Sequence, residues 1–262
     1  MFDMCSVAPT VCEILGIRAP SSSESDYLSL VVDSMALTDR LVVIVIDAFG
    51  ISTWKNSREQ SPTINKLETL HSMIIHSVMK TITPVNFATM LTGACPEIHG
   101  ITNREMPLET ETIFDSMREK GLRSATAARS QSSLGILISP HADKPGIAES
   151  NKDSEVTRIA VSNIKSGYNL VWVQLLDVDD AGHSFGPYSI ESRKAVAKAD
   201  DNLRVILGAA RENGYSVMVL ADHGQHDSND AYKGNHGTNM PEDVEVPFLW
   251  ANNIELCDIL KD

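Results

Sequence analysis

The sequence predicts an α/β fold, a mostly parallel central sheet with helices on both faces. Three observations carry this reading. Short runs rich in β-branched residues alternate with helix-like stretches. The run at 41–46 is apolar at every position, the pattern of a strand buried on both faces. Three of the runs pass directly into aspartate, at Asp47, Asp177 and Asp222. In an open parallel sheet such positions gather at one edge, outside the carboxyl ends of the strands.

Taken in order, the elements begin with a short helix within 6–17. Val7, Val11, Ile14 and Leu15 share one of its faces and Gly16 stops it. A Pro/Ser-rich stretch follows at 20–26. Strands are expected at 41–46, 73–79, 124–128, 169–176, 216–221 and 246–250, and helices at 61–70, 84–93, 112–120, 154–166 and 189–213. The last helix is the clearest. Ala195, Ala199, Leu203, Ile206, Leu207 and Ala210 recur at three- and four-residue steps, and Gly214 follows. Loops are expected at 139–153 and 223–243. With no internal repeat and one minor composition shift, a single domain is expected over 1–262, without a large cap domain.

Composition narrows the function. Apolar residues make up 42% and charged residues 22%, enough apolar mass for a sizeable core. Lys+Arg is 22 against Asp+Glu 35, a formal charge of −13. Such a surface repels nucleic-acid backbones, so a nucleic-acid polymer is not expected as a partner. A small anionic substrate would need a local reversal of sign. The cysteines, Cys5, Cys12, Cys95 and Cys257, are scattered with no CxxC pair, so reduced thiols are expected. The N-terminus lacks the pattern of a signal peptide, and the apolar runs are far too short to span a bilayer. The expectation is a cytoplasmic protein with no membrane partner.

The chemistry-bearing residues sit at the expected strand ends. Asp47 ends the first run. Asp177-Val178-Asp179-Asp180-Ala181-Gly182-His183 follows the expected strand at 169–176, Asp222-His223-Gly224 follows 216–221, and Gly234-Asn235-His236-Gly237 comes just downstream. Any one such aspartate is commonly a cap or turn former. Their coincidence predicts a metal site, and oxygen and nitrogen donors suit Zn²⁺, with Mn²⁺ or Fe²⁺ as alternatives. Between 80 and 93 lies a second signal. Pro84 suits the first helical position, which makes Thr83 the N-cap. A hydroxyl there could be only a cap. Beside a cation and the positive end of a helix it could also ionise and attack phosphorus. Asn86, one turn on, is then placed to donate its amide to a phosphoryl oxygen.

These residues resemble the alkaline phosphatase superfamily, and most of all its nucleotide pyrophosphatase/phosphodiesterase branch. The likeness rests on the strand ending in Asp47, on Thr83-Pro84-Val85-Asn86 leading to Thr92-Gly93, on Pro96-Glu97-Ile98-His99-Gly100-Ile101, on Asp179-x-x-Gly182-His183, on Asp222-His223-Gly224 and on His236-Gly237. It implies two zinc ions, one held by Asp47, Thr83, Asp222 and His223, the other by Asp179, His183 and His236. It implies a covalent phospho-threonine at Thr83 and phosphoryl binding by Asn86. The substrate would be a small phosphorylated molecule, with a nucleotide as one candidate. Sulfatases need x-Pro-x-Arg after the nucleophile, and no Arg follows Thr83. Pro84 stands one residue after Thr83 rather than the more common two, which leaves the substrate more open than the chemistry. His99 reads as structural, His226 as a loop histidine, and Asp177 and Asp180 as flanking a ligand rather than ligating.

Two rival functions follow. A phosphomonoesterase of the same superfamily would use the same ligands. A catalytically silent metal-binding relative would keep the fold, although every ligand position here carries a competent residue type. The 6–17 segment also resembles a helix that relatives carry near their C-terminus. It is either an ordinary amphipathic helix or the mark of a circular permutation, in which case it should pack beside the last strand.

Overall fold

The computed structural model describes residues 2–259. The strands are β1 (Leu41–Ile46), β2 (Ser72–His76), β3 (Ser124–Arg129), β4 (Ile147–Ala148), β5 (Leu170–Leu175), β6 (Ser216–Leu220), β7 (His226–Asp227), β8 (Gly234–Asn235) and β9 (Glu245–Ala251). The helices are α1 (Val7–Ile14), α2 (Ser29–Met35), α3 (Ile51–Asn56), α4 (Pro62–Leu70), α5 (Thr83–Thr92), α6 (Pro96–His99), α7 (Ile113–Glu119), α8 (Asp153–Lys165), α9 (Asp177–Phe185), α10 (Ile190–Glu212), α11 (Pro241–Val244) and α12 (Leu256–Ile259).

Seven strands form the main sheet in the order β2-β9-β6-β1-β5-β3-β4, and β7 and β8 make a separate hairpin. β1 lies between β5 and β6 and is parallel to both. β9 runs antiparallel to both its neighbours, β2 and β6. The remaining strands therefore share one direction, and their carboxyl ends face one edge. The reversal of β9 has a simple cause. A parallel return from β6 needs a crossover of a dozen or more residues, usually a helix. The 221–244 connection offers only the hairpin and the four-residue α11.

Every residue of β1 has zero exposure, so the central strand is covered on both faces, as its unbroken apolar run requires. Burying each such side chain contributes about 1.5–3 kcal/mol. One helical layer groups α4, α8 and α10, and the other groups α1, α2, α5 and α7. In α10 the stripe Ala195, Ala199, Leu203, Ile206, Leu207 and Ala210 is buried, as its spacing predicts.

Several expectations are corrected in detail. β2 ends at His76, short of residue 79. The expected loop at 223–243 contains the β7–β8 hairpin and α11. Residues 177–185, read only as a cluster, form α9. α1 packs against α2, α5 and α7, whereas α2 is the N-terminal helix tied to the last strand. There the Trp250 Nε1–H donates to Ser34 Oγ at 2.7 Å. All four cysteines are unpaired thiols. Among the described residues no helix is long and apolar enough to cross a membrane.

Candidate active site

Asp47 leaves β1 fully buried, and its two oxygens are used differently. Oδ2 accepts from Gln174 Nε2 at 2.5 Å. Oδ1 faces the Thr83 hydroxyl at 3.5 Å and His223 Nε2 at 3.6 Å. The next residue, Ala48, takes a left-handed conformation (φ 58°), and its N–H reaches Asp222 Oδ1 at 3.3 Å. This bend ties the end of β1 to the end of β6. Asp222 Oδ2 is buried without a hydrogen-bond partner and lies 3.4 Å from His223 Nε2. Thr83 Oγ1 stands 3.1 Å from the same nitrogen. Asp47, Thr83, Asp222 and His223 thus converge as expected.

α9 brings the second set together. Asp179 and His183 are one turn apart, so they share a helix face. Asp179 Oδ1 is 3.3 Å from His183 Nε2 and 3.8 Å from His236 Nε2, and the two histidine nitrogens are 3.2 Å apart. The sets adjoin where the rings of His223 and His236 stack at 3.9 Å. His223 lies within cation-holding distance both of Asp47 and Asp222 and of Asp179 and His236.

The donor chemistry fits divalent cations. In each histidine Nδ1 faces a backbone carbonyl: Gly234 O for His183, Gly224 O for His223 and Thr81 O for His236. With Nδ1 donating to that carbonyl, the neutral ring turns its Nε2 lone pair into the site. Two lone pairs facing each other at 3.2 Å, beside carboxylates and an orphaned buried oxygen, repel unless a cation lies between them. A tetrahedral ion with bonds of about 2.0–2.1 Å separates its ligands by about 3.4 Å, close to these spacings.

The acid–base properties tell the same story. Burial, then the charges of Asp222 and Asp179, hold the Asp47 carboxyl well above the usual range. Burial, then Asp179, pushes Asp222 up to about 8. Burial, then His223, lowers His236 to about 3. The cation-free chain therefore has a signed pH dependence. When folded, Asp222 keeps its proton up to about 8, while the unfolded carboxyl ionises near 3.8. Folded His236 stays neutral down to about 3, while the unfolded imidazole titrates near 6.5. Between the two unfolded values these effects cancel. Above about pH 6.5 only the carboxyl term remains, so stability falls as pH rises toward about 8. Cation-free protein is expected to melt lower at about pH 8.5 than at about pH 6.5, and chain loaded with divalent ions is expected not to show that fall. Thermal melts at both pH values check this.

One expectation about the nucleophile segment is corrected. Thr83 is not the N-cap. Ile82 holds that position with extended backbone, Thr83 is the first helical residue, and its side chain makes no capping bond. Its hydroxyl is free to face the carboxylates. Asn86 is fully buried, and its amide is spent on the preceding strap. Oδ1 accepts from Val78 N at 2.9 Å, and Nδ2 reaches the carbonyls of Val78, Lys80 and Ile82 at 3.3–3.4 Å. With both ends engaged, Asn86 fixes the strap that presents Thr83.

Other residues support the site. Thr81 donates from Oγ1 to Thr238 O at 2.8 Å and accepts from Gly237 N at 3.0 Å, joining the strap to the His236 loop. Asp177 and Asp180 turn away from the cation sets to Arg129, a buried residue at the end of β3. Arg129 also pairs with the buried Asp153 at 2.6 Å. The other oxygen of Asp153 accepts from Leu176 N at 2.9 Å and Asp177 N at 2.8 Å, where α9 begins. His99 is buried between Thr89 Oγ1 and Ile101 N, in keeping with a structural role. His226 is better fixed than a loop histidine, since its Nδ1 meets the buried Asp243 Oδ1 at 2.8 Å. Sequence reasoning missed Gln174, Gln225, Thr81 and Arg129. Gln174 carried a visible signal, a lone amide inside an apolar strand.

Comparison with known proteins bears on the fold and the family. A venom phosphodiesterase of Crotalus adamanteus is 26% identical over 221 residues, covering 71% of this chain and 27% of that protein. GPI ethanolamine phosphate transferase 1 of Yarrowia lipolytica is 20% identical over 268 residues, covering 91% of this chain and 25% of its own length. The chain thus spans about a quarter of the length of these relatives. An inactive threonine-to-alanine variant of murine ectonucleotide pyrophosphatase/phosphodiesterase 5, solved in complex with AMP, superposes with a TM-score of 0.65 at 14% identity, over 84% of this chain and 93% of that one. The C-terminal periplasmic domain of EptC from Escherichia coli, in complex with zinc, gives 0.59 at 14% identity, over 85% and 75%. These likenesses establish the alkaline phosphatase-like fold. The profile of the type I phosphodiesterase / nucleotide pyrophosphatase family matches residues 41–255, and the chain belongs to that family.

Proposed function

We propose that this chain hydrolyses phosphoester or phosphoanhydride bonds of a small phosphorylated substrate through a phospho-threonine at Thr83. The observation that carries this is the Thr83 hydroxyl, 3.1 Å from His223 Nε2 and 3.5 Å from Asp47 Oδ1, at the open end of α5. Asp47, Thr83, Asp222 and His223 would hold one divalent ion and Asp179, His183 and His236 a second, with zinc suited to these donors. Such ions supply Lewis acidity for the attacking and leaving oxygens and outweigh the three carboxylates, reversing the sign of the field in an acidic protein.

The chain's own residues do the rest. Asn86 fixes the strap at 78–82, so Thr83 Oγ1 is preplaced. The first turn of α5 directs backbone N–H groups and its positive dipole end toward the phosphoryl oxygens. Thr83 Oγ1 gives up its proton to solvent and forms the bond to phosphorus, while the leaving oxygen departs with the electron pair of the broken P–O bond and takes up a proton. Water then displaces the threonine and releases phosphate or a phosphomonoester.

The relatives' names support a nucleotide as substrate, and the AMP complex supports a nucleoside monophosphate product. The ethanolamine phosphate transferase match, which covers most of this chain, supports a second reading in which an alcohol rather than water accepts the phosphoryl group. Rates on aryl phosphate monoesters, aryl diesters and dinucleotides, with and without chelator and with added ethanolamine, separate these outcomes. The proposal expects chelator-sensitive cleavage fastest on diesters or anhydrides. Monoester preference would favour the monoesterase reading, and no cleavage by ion-loaded chain would favour a silent relative. The unpaired thiols support a reducing compartment as the working environment.

A further inference from the structure

The two cation sets sit at the ends of different strands, and one buried side chain physically joins them. Gln225 follows Asp222-His223-Gly224 directly and is 1% exposed. Its Nε2 donates to Asp179 Oδ1 at 2.6 Å and lies 3.3 Å from the Asp179 carbonyl oxygen. That carboxylate oxygen is the one facing His183 and His236. The backbone before Gln225 is itself fixed. Gly224 N donates to Asp243 O at 2.8 Å, and a Cβ on Gly224 would come within 2.0 Å of Glu242 O. On α9 the counterpart is Gly182, where an added Cβ would stand 1.7 Å from Gln225 Oε1 and 2.8 Å from its Cδ. The glutamine amide therefore occupies the space a side chain at 182 would need.

We propose that Gln225 is a positioning residue for the second cation set, holding the Asp179 carboxylate in register with His183 and His236. This inference rests on the two-cation reading above. Among the described residues the Gln225 amide is the group that donates to the Asp179 carboxylate, while the facing histidine nitrogens present lone pairs, so without the amide that carboxylate is free to rotate. A neutral amide suits the task. An ammonium would cancel the carboxylate's charge toward the cation, and a carboxylate at 225 would repel it. Gly182 is required because α9 must approach the amide without a Cβ.

Zinc titration of cation-free protein by calorimetry tests this, with Q225M, Q225A, G182A and the double variant G182A/Q225A beside the parent chain. Loss of a residue that orients a ligand weakens metal affinity by about 10–100-fold. Q225M is expected to weaken one of the two sites by that factor and leave the other unchanged. G182A is expected to give the same selective loss by displacing the amide. In the double variant the clash has gone, so its second-site affinity is expected to be no worse than that of Q225A alone. A residue with a merely structural role would shift the melting temperature and both affinities together. Unchanged affinity at both sites in Q225M, equal weakening of both, or additive losses for G182A and Q225A would overturn the inference. If Q225M does not fold, the comparison of G182A with G182A/Q225A still decides it. A parent chain binding fewer than two ions would defeat the two-cation reading and this inference with it.

Discussion

Thr83→Ala is expected to lower kcat by at least about 10³-fold while the chain keeps its fold and its divalent ions. The substitution removes only the hydroxyl and a methyl group from a half-buried first helical residue. Alanine is favourable in a helix, so α5 should be undisturbed. Under the proposed function, Asp47, Asp222 and His223 would remain to hold the first ion, and the second set would be untouched. Thr83→Ser retains the hydroxyl and is expected to stay within about tenfold of the parent. Steady-state rates with elemental analysis check both. Parent-like turnover in Thr83→Ala would remove the nucleophile from the account.

The second large effect is on stability. Arg129→Met is expected to cost about 3–5 kcal/mol, because it leaves a buried carboxylate without its guanidinium. Arg129 and Asp153 are both essentially inaccessible to solvent. Burial already raises the Asp153 carboxyl above its ordinary value, opposed chiefly by Arg129. Removing the arginine also frees Asp177 and Asp180 on the first turn of α9. The Arg129→Met/Asp153→Asn double variant removes both charges and is expected to recover part of the loss. Urea denaturation midpoints, compared at equal slope, give the answer. A cost below about 1 kcal/mol would mean that the pair does not fasten α9.

Much of the fold was legible because it depends on local pattern. β1 is bounded by the same residues in sequence and structure, since an unbroken apolar run needs two covered faces. Asp47 and Asp222 were legible because the strands lead directly into them. α9 was not. Its sequence, Asp177 to Phe185, is mostly polar and has little apolar periodicity. What fixes its start is Arg129 and Asp153, which are far away in the chain. The direction of β9 was hidden for the same reason, because only the lack of a crossover helix decides it. The engagement of Asn86 with the strap was not legible from its proximity to Thr83. One helical turn placed it on the right element, but burial turned its amide toward the strap at 78–82. Gln174 and Gln225 show how a site is completed by amides that no ligand motif marks.

Under the proposed function, two separate ligand sets beside Thr83 would each hold a divalent cation. Anomalous X-ray diffraction from crystals of the zinc-loaded chain measures this most directly. Two peaks are expected, one enclosed by Asp47, Thr83, Asp222 and His223 and the other by Asp179, His183 and His236. A single peak, or peaks lying away from these side chains, would contradict it.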